Sequence, residues 1–569
     1  MRVFRLHILW FTSFSIMTLF RALACLYVLF FNSRIYLIFN LFATTSLDLK
    51  VRFVFDYMSL SFITTVLLIS SIIMVYSFNY MSPYSKPNYF LWITVLFVRS
   101  MLLVITMPNL IFAMLGWDGL GLVSFFLIVY YQNQSSIVSG LFTLLINRLG
   151  DRFFLCSLML IFYIYPDFTF FSSNLTSQLL SSMLILTFIT KRALYPFSPW
   201  LPIAIAAPTP ISALVHSSTL VTSGLYLIMR FNYVLYSSPE VMKVLFVVSL
   251  FTSFYAGLNT MFEVDFKKLI ALSTLSHLGF IGIAFSLGLL HLRFFHLLVH
   301  ALFKSLLFIT IGDIIINLNH SQDARYLSSG FLYTPFSCFV MSISLVNLLG
   351  LPRLRGFFSK DLVLETIRFS NVSFFLEVVV YCNVIFTYYY TYKLFYYSFS
   401  TNKLNPYQLF HSVSLLHVIL ICFLGLSTLV FSSFFISSVF SFVLFYPLAL
   451  SVKFIPILLN SAVFLYLLLF LALPTVKSKL VASYCSSILF LRNLAMTLCS
   501  NAYYAILFSA VKSTEIGFVN YSFNTQLAKP LAVLTSSLFT SLYKVQLTAF
   551  YTILFIRFIV LLSFTLYAK

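Results

Sequence analysis

His296, His300 and Lys304 fall four residues apart in an otherwise apolar stretch. On a helix that spacing stacks three titratable side chains on one face over about 12 Å. Groups so placed, within hydrogen-bonding reach directly or through water, are the parts of a proton wire. The histidine pair at i and i+4 also suits a metal, for which Asp313 is the one nearby acid that could complete a ligand set.

Other ionisable groups stand in equally apolar surroundings. Asp118 lies in Gly116-Trp117-Asp118-Gly119-Leu120-Gly121, whose glycines let neighbouring helices approach until the carboxylate reaches a partner. Lys191 follows the apolar run Leu179–Thr190. A lysine there can take and release a proton where an arginine cannot. Its neighbour Arg192 points about 100° away around the helix and is expected to snorkel to the membrane surface. His216, in Ser212-Ala213-Leu214-Val215-His216-Ser217-Ser218-Thr219, has hydroxyl neighbours that favour a relay over a satisfied core histidine. Lys360 and Asp361 follow Gly356-Phe357-Phe358-Ser359, with Glu365 one turn on, and could serve a site or cap a helix at the surface. Asp56, Arg148, Asp151, Asp265, Lys267 and Lys268 fall near expected helix ends as caps and anchors, although Asp151 could pair with a buried base.

Positioning such groups in a membrane needs helices with interruptions. Five prolines between Pro196 and Pro210 cannot lie in an unbroken helix, because each removes a backbone donor and clashes with the preceding turn. A second interruption is Gly350-Leu351-Pro352-Arg353-Leu354-Arg355-Gly356. Non-helical backbone at membrane depth persists only where protein buries it or it lines a wet cavity, and paired interruptions mark a transporter's working site. Both stretches could otherwise be loops at the membrane surface.

Composition fixes the solvent. Hydrophobic residues make up 61% of the 569 positions and charged ones 8%, against about a quarter charged in soluble chains. The continuous apolar runs give roughly fourteen to sixteen helical spans. Among them are Leu60–Phe78, Leu91–Leu115, Val244–Met261, Phe331–Gly350, Val418–Phe435 and Tyr551–Leu566. The apolar runs are continuous instead of alternating with period two, which argues against a β-barrel. The net charge of +20 gathers at span ends, as at Lys50, Arg52, Lys86, Lys267 and Lys268, suiting anionic phospholipid head groups, cardiolipin included, rather than nucleic acid. Seven cysteines stand singly, with no Cys-x-x-Cys for zinc or an iron–sulfur cluster and no glycine-rich nucleotide loop. The N-terminal run after Arg2, Arg5 and His7 reads as a retained first helix. The abundance of Phe and Tyr suggests the codon bias of an AT-rich, organelle-like genome.

The motifs taken together resemble one family in order. They are Gly-Trp-Asp-Gly-Leu-Gly at 116–121, Asn-Arg-Leu-Gly-Asp at 147–151, Pro-Trp-Leu-Pro at 199–202 and Ala-Pro-Thr-Pro-Ile-Ser-Ala-Leu-Val-His-Ser-Ser-Thr at 207–219. Asp-Phe-Lys-Lys-Leu-Ile-Ala-Leu-Ser-Thr at 265–274, His-Ala-Leu-Phe-Lys at 300–304, Gln-Asp-Ala-Arg at 322–325 and Gly-Phe-Phe-Ser-Lys-Asp at 356–361 complete the series. From Phe55 to Glu365 the chain resembles the antiporter-like chain 5 family of proton-pumping NADH:ubiquinone oxidoreductase, respiratory complex I.

The resemblance implies two inverted five-helix repeats with broken helices, each holding half of a proton channel. It implies an Asp118–Lys191 pair, with further proton-transferring bases at His216, His296, His300, Lys304 and Lys360. Asp151, Asp361 and Glu365 are secondary candidates. NADH, FMN, iron–sulfur and ubiquinone chemistry would belong to other subunits, and no cofactor is expected in this chain. Its partners would be the other membrane-arm subunits, in the mitochondrial inner membrane or, alternatively, a bacterial plasma membrane. Asp118 stands where the family has Glu, Ser198 where it has His and Ala206 where it often has an acid, while Arg99, Arg192 and Asp313 add charges.

The expected architecture is an all-α polytopic membrane protein. N-terminal spans occupy 1–88, the antiporter-like core 89–400 and peripheral spans 401–500. A lateral amphipathic helix covers 501–546, interrupted near Pro530, and a membrane anchor 547–569. The competing readings are a subunit of a multi-component cation/proton antiporter and a membrane scaffold without transport.

Overall fold

Long apolar runs become helices here because only a helix satisfies every backbone polar group within its own segment when no water is at hand. In the computed structural model these are α1 (Arg2–Phe31), α2 (Tyr57–Met81), α3 (Pro87–Thr106), α4 (Leu110–Ile128), α5 (Gln134–Ile164) and α6 (Asn174–Lys191). After a short irregular stretch come α7 (Trp200–Ile203), α8 (Thr209–Ile211), a π-helix over Ser212–Thr219, α9 (Leu220–Arg230) and α10 (Asn232–Tyr236). The second half holds α11 (Pro239–Phe262), α12 (Phe266–Ser286), α13 (Leu290–Asn317), α14 (Pro335–Leu349), α15 (Arg355–Phe369) and α16 (Phe374–Phe399). Two short apolar helices follow, α17 (Val418–Thr428) and α18 (Ile455–Phe470). The structure describes residues 2–31, 33–43, 48–82, 86–164, 174–288, 290–317, 321–324, 334–351, 354–369, 373–399, 418–428 and 455–470.

Among the described residues nine helices are long and apolar enough to cross a membrane, with four shorter apolar ones beside them. The expected span over Tyr551–Leu566, the lateral helix over 501–546, the anchor over 547–569 and the part of Val418–Phe435 beyond Thr428 lie outside the described residues. The expected span Leu91–Leu115 is two helices. Pro108 lacks the N–H and disfavours helical backbone before it, so α3 stops at Thr106 and α4 starts at Leu110. Prolines elsewhere open helices, with Pro87, Pro239 and Pro335 in the first turns of α3, α11 and α14, where a missing N–H costs nothing.

The all-α expectation holds, with one β-hairpin beside the helices. β1 (Ile35–Ala43) and β2 (Asp48–Phe55) pair as an antiparallel hairpin, Ile35 opposite Phe55, with a register shift between Asn40 and Phe42. The signal is present in Asp48-Leu49-Lys50-Val51-Arg52-Phe53-Val54-Phe55, where apolar and basic residues alternate with period two at 49–53. Arg21 of α1 lies 5.0 Å over the Phe55 ring and joins the first helix to the hairpin. Asp56 precedes α2, where Ser59 Oγ accepts its backbone N–H at 2.8 Å, and its carboxylate holds Arg230 at the end of α9 at 2.7 Å. That residue acts as the cap and anchor the sequence suggests.

The core of this unit (Met1–Ser486) forms around α13. Every residue from Leu292 to Ile315 is buried, against α12, α14, α15, α2 and the π-helix. The first interruption reaches the surface at Tyr195–Phe197, with Pro196 exposed, and is buried from Ser198 to Ile205 and from Ala207 to Met229. Most of it is therefore not a surface loop.

Candidate functional site

The first cluster is assembled by the end of α6. Ala193 adopts left-handed backbone at φ +57°, its N–H reaching Thr190 O at 3.3 Å while Leu194 N–H reaches Ile189 O at 3.1 Å. This pair of bonds closes the helix in a Schellman motif. Lys191 therefore sits at a helix C-terminus, where the exposed carbonyls favour a cation. It is fully buried, and its ammonium donates to the Trp117 carbonyl of α4 at 2.5 Å while lying 3.9 Å from the centre of the Trp117 ring. Gly121, one turn on, would place a β-carbon only 3.8 Å from that nitrogen. The Trp200 indole N–H also donates to the Thr190 carbonyl, at 2.8 Å.

The carboxylate paired with Lys191 is Asp151 of α5, at 3.9 Å. Asp118 pairs instead with Arg148, at 4.0 Å, and Arg148 reaches Asp151 at 3.4 Å. The expected Asp118–Lys191 pair is thus replaced by a chain Asp118–Arg148–Asp151–Lys191. Its reason is geometric: Asp118 points to the rim with its side chain 33% exposed, whereas α5 carries Asp151 inward to 8%. Arg148 and Asp151 sit in mid-helix, not at helix ends, and the suggestion that Asp151 pairs with a buried base agrees with the structure.

Arg192 does not snorkel. It is fully buried and donates to the Leu278 carbonyl of α12 at 2.5 Å, beside Gly282, where a β-carbon would fall 2.6 Å from its guanidinium. Beyond the interruption, His216 lies in the π-helix with its ring 6.3 Å from Trp200. The neighbouring hydroxyls do not serve it. Ser217 donates to Ala213 O, Ser218 to Leu214 O at 2.9 Å and Thr219 to Leu214 O at 2.6 Å. The widened π turn misaligns the usual backbone pairs, and these side chains satisfy its carbonyls. The polar group nearest the His216 ring is the Ala204 backbone at the first interruption.

The second cluster surrounds α13, and His296, His300 and Lys304 do share one buried face. Their contacts run sideways rather than along the helix. His296 Nδ1 meets Ser359 Oγ at 2.7 Å, and Lys304 donates to Ser273 Oγ of α12 at 2.6 Å. His277 of α12 lies between the histidines, 5.9 Å from the His296 ring and 5.5 Å from that of His300, and its Nε2 meets the Tyr390 hydroxyl of α16 at 2.8 Å. Lys360, buried in α15, donates to the Leu348 carbonyl at the end of α14 and reaches Thr387 Oγ1 at 3.5 Å. That carbonyl is available because Gly350, at φ +74°, ends α14 beside the second interruption. Glu365 is buried one turn past Lys360, and Asp361 faces Tyr388 of α16. Among the described residues no group of three His, Cys, Asp or Glu converges to hold a metal.

The sequence reading passed over the buried His277, Arg293 and Lys393 and misplaced Lys267. His277 carries the same signal as His216, a lone histidine in an apolar helix. Lys267, read as an anchor, is buried and donates to Ala207 O of the first interruption at 3.4 Å. Lys393 caps the carbonyl end of α11, donating to Thr260, Met261 and Glu263 at 3.2, 2.8 and 2.6 Å. Asp265 stands at the N-cap position of α12, where its side chain pairs with Lys268 and makes no capping hydrogen bond.

Comparison with known proteins places this architecture. Residues 107–387 match the family model of the NADH:quinone oxidoreductase/Mrp antiporter transmembrane region, and residues 41–90 that of the complex I chain 5 N-terminus. The chain is 43% identical over 403 residues to NADH-ubiquinone oxidoreductase chain 5 of Locusta migratoria, covering 68% of this chain and 70% of the locust protein. It is 44% identical over 369 residues to the Aedes aegypti chain 5, covering 63% of each. Its fold is also that of a chain in the Mrp complex of Dietzia sp., with a TM-score of 0.70 at 20% identity over 96% of this chain and 63% of that one. With the buried acid–lysine and histidine–lysine clusters beside two broken helices, these matches lead to one conclusion: the chain belongs to the NADH-ubiquinone oxidoreductase chain 5 family, the antiporter-like, proton-translocating membrane subunits of complex I.

Proposed function

We propose that this chain moves protons across the bilayer through two half-channels, one in each of two inverted repeats. Asp118, Arg148, Asp151, Lys191 and His216 serve the first, and His296, His300, Lys304 and Lys360 the second, with Asp361 and Glu365 in support. The observation that carries this reading is Lys191, wholly enclosed at a helix break and held by Asp151 at 3.9 Å. An isolated charge at the centre of a membrane helix costs about 2.5–3.5 kcal/mol by insertion scales, so such groups persist where they work. Separation of the pair would release a proton from the lysine, and its re-formation would hold the next one.

Moving one charge against 100 mV costs about 2.3 kcal/mol. That energy would come from electron transfer between NADH and ubiquinone, handled by FMN and iron–sulfur clusters in partner subunits. Membership of complex I implies neighbouring membrane-arm subunits. Exposed basic residues at helix ends, such as Lys86 and Lys268, suit phospholipid head groups, cardiolipin among them. The insect relatives support a mitochondrial inner membrane location.

The test is proton translocation per electron in the intact complex, reconstituted in sealed vesicles. Lys191→Ala and Lys304→Ala are expected to lower that ratio while NADH oxidation by the peripheral cofactors continues. An unchanged ratio in both variants would exclude this chain as a conduit. Copurification of flavin and iron–sulfur subunits with the chain checks its place in the complex.

A further inference from the structure

The four-residue spacing on α13 invites a path from Lys304 to His300 to His296, but the contacts do not follow it. Among the described residues neither ring nitrogen of His300 has a hydrogen-bond partner, and Lys304 spends its short contact on Ser273 of α12. Ser273 Oγ donates to the Ile270 carbonyl at 2.6 Å and stands within hydrogen-bonding reach of the Tyr390 phenol, which meets His277 Nε2 at 2.8 Å. His277 then lines two small adjoining cavities, each with room for about one water, and Lys360 lines both. Polar atoms without protein partners belong to residues lining these cavities: His296 Nε2, both His300 nitrogens and Asn347 Oδ1 for one, Asn383 Oδ1 for the other. Several convergent polar atoms in a space of that size are what an ordered internal water requires.

We propose that the proton route of the second half-channel turns through Ser273, Tyr390 and His277, linking Lys304 to Lys360 across α12 and α16 instead of along α13. The inference rests on the reading of this chain as a proton conduit and names three relay residues within it. The transfer balances in one concerted shift. Once the Ser273 hydroxyl has turned from the Ile270 carbonyl to Tyr390, Lys304 gives a proton to Ser273 Oγ as the Ser273 hydroxyl proton moves to Tyr390 and the Tyr390 proton moves to His277 Nε2. Both hydroxyls are left with one proton each, Lys304 is a neutral amine and His277 an imidazolium. His277 then releases its Nδ1 proton through cavity water to the amine of Lys360, and the hydroxyls and ring rotate back for the next cycle. Hydroxyl rotors and the two nitrogens of a histidine suit such a relay because each is both donor and acceptor.

The experiment uses the whole complex in sealed vesicles oxidising NADH, and reads protons moved per electron together with the solvent deuterium isotope effect on pumping. Tyr390→Phe removes the phenol oxygen, and His277→Gln keeps a hydrogen-bonding side chain that cannot titrate. Both are expected to lower the ratio as far as Lys304→Ala does, while Tyr389→Phe, outside the relay on the same helix, retains it. Ser273→Ala is expected to match the loss and Ser273→Thr, which keeps the hydroxyl, to restore both the ratio and the isotope effect. Should the histidine and tyrosine variants fail to assemble, the Ser273→Ala and Ser273→Thr pair decides. Parental ratios in the assembled Tyr390→Phe and His277→Gln complexes, with a loss in Lys304→Ala, would overturn the relay and leave the conduit intact. Parental ratios in both Lys304→Ala and Lys191→Ala would remove the conduit reading instead.

Discussion

At the scale of single residues, Lys191 has two neighbours that differ in worth. Asp151 is nearly buried, and removing one partner of a buried pair strands the other charge at a cost of about 3–5 kcal/mol. Asp118 is a third exposed and meets Arg148 at 4.0 Å in a more solvated setting, where such pairs contribute about 0–1 kcal/mol. Asp151→Asn is therefore expected to reduce both the assembled complex and its pumping ratio, and Asp118→Asn to leave assembly near parental. Immunoblotting of the assembled complex and vesicle acidification measure the two effects. Lys191→Arg preserves the positive charge opposite Asp151 but cannot release a proton at physiological pH, so assembly should survive and the ratio fall. Retention of pumping by that variant would show that Lys191 acts only as a fixed charge. The shorter Asp118, a departure from the family's Glu, coincides with a carboxylate that pairs away from the lysine, and Asp151 takes the inner position.

At the scale of elements, each interruption works by ending a helix where a lysine can use its last turn. Lys191 ends α6, and Lys360 donates to Leu348 in the last turn of α14. The second ending depends on Gly350 at φ +74°, a conformation that costs an L-residue about 1–2 kcal/mol. Gly350→Ala should lower the thermal midpoint of the purified complex by a corresponding amount and displace the Lys360 contact, which reduced pumping would report. No change in either quantity would mean the break tolerates a right-handed ending. The prolines made the first interruption legible in advance. Its π-helix was not, because no residue in Ser212–Thr219 is a helix breaker. The wider turn is set by packing against α13, α2 and α12, and the serines and threonines then absorb the displaced carbonyls.

At the scale of the whole molecule, α12 touches both clusters. Lys267 in its first turn meets Ala207 of the first interruption, Leu278 accepts from Arg192, and Ser273 and His277 belong to the second cluster. A shift of this helix would be felt on both sides. Lys393 fastens the α11–α12 junction to α16 through three carbonyls, and replacing it leaves those buried acceptors unmet at about 1–3 kcal/mol each at most. Lys393→Met should therefore lower the yield and thermal stability of the complex without changing protons per electron in the fraction that assembles. A lower ratio at normal yield would place Lys393 on the proton path instead. The membrane-embedded helical class, the two interruptions and the buried titratable groups were determined by the sequence itself. Long apolar runs, clustered prolines and lone charges are local signals with large free-energy consequences in a bilayer. Tertiary structure alone decided the pairings: Asp151 rather than Asp118 at Lys191, Arg192 turned inward to Leu278, and His277 with Tyr390 set between Lys304 and Lys360. Those contacts join residues tens to more than a hundred positions apart, and helix rotation and packing select them, which spacing along one chain segment does not encode.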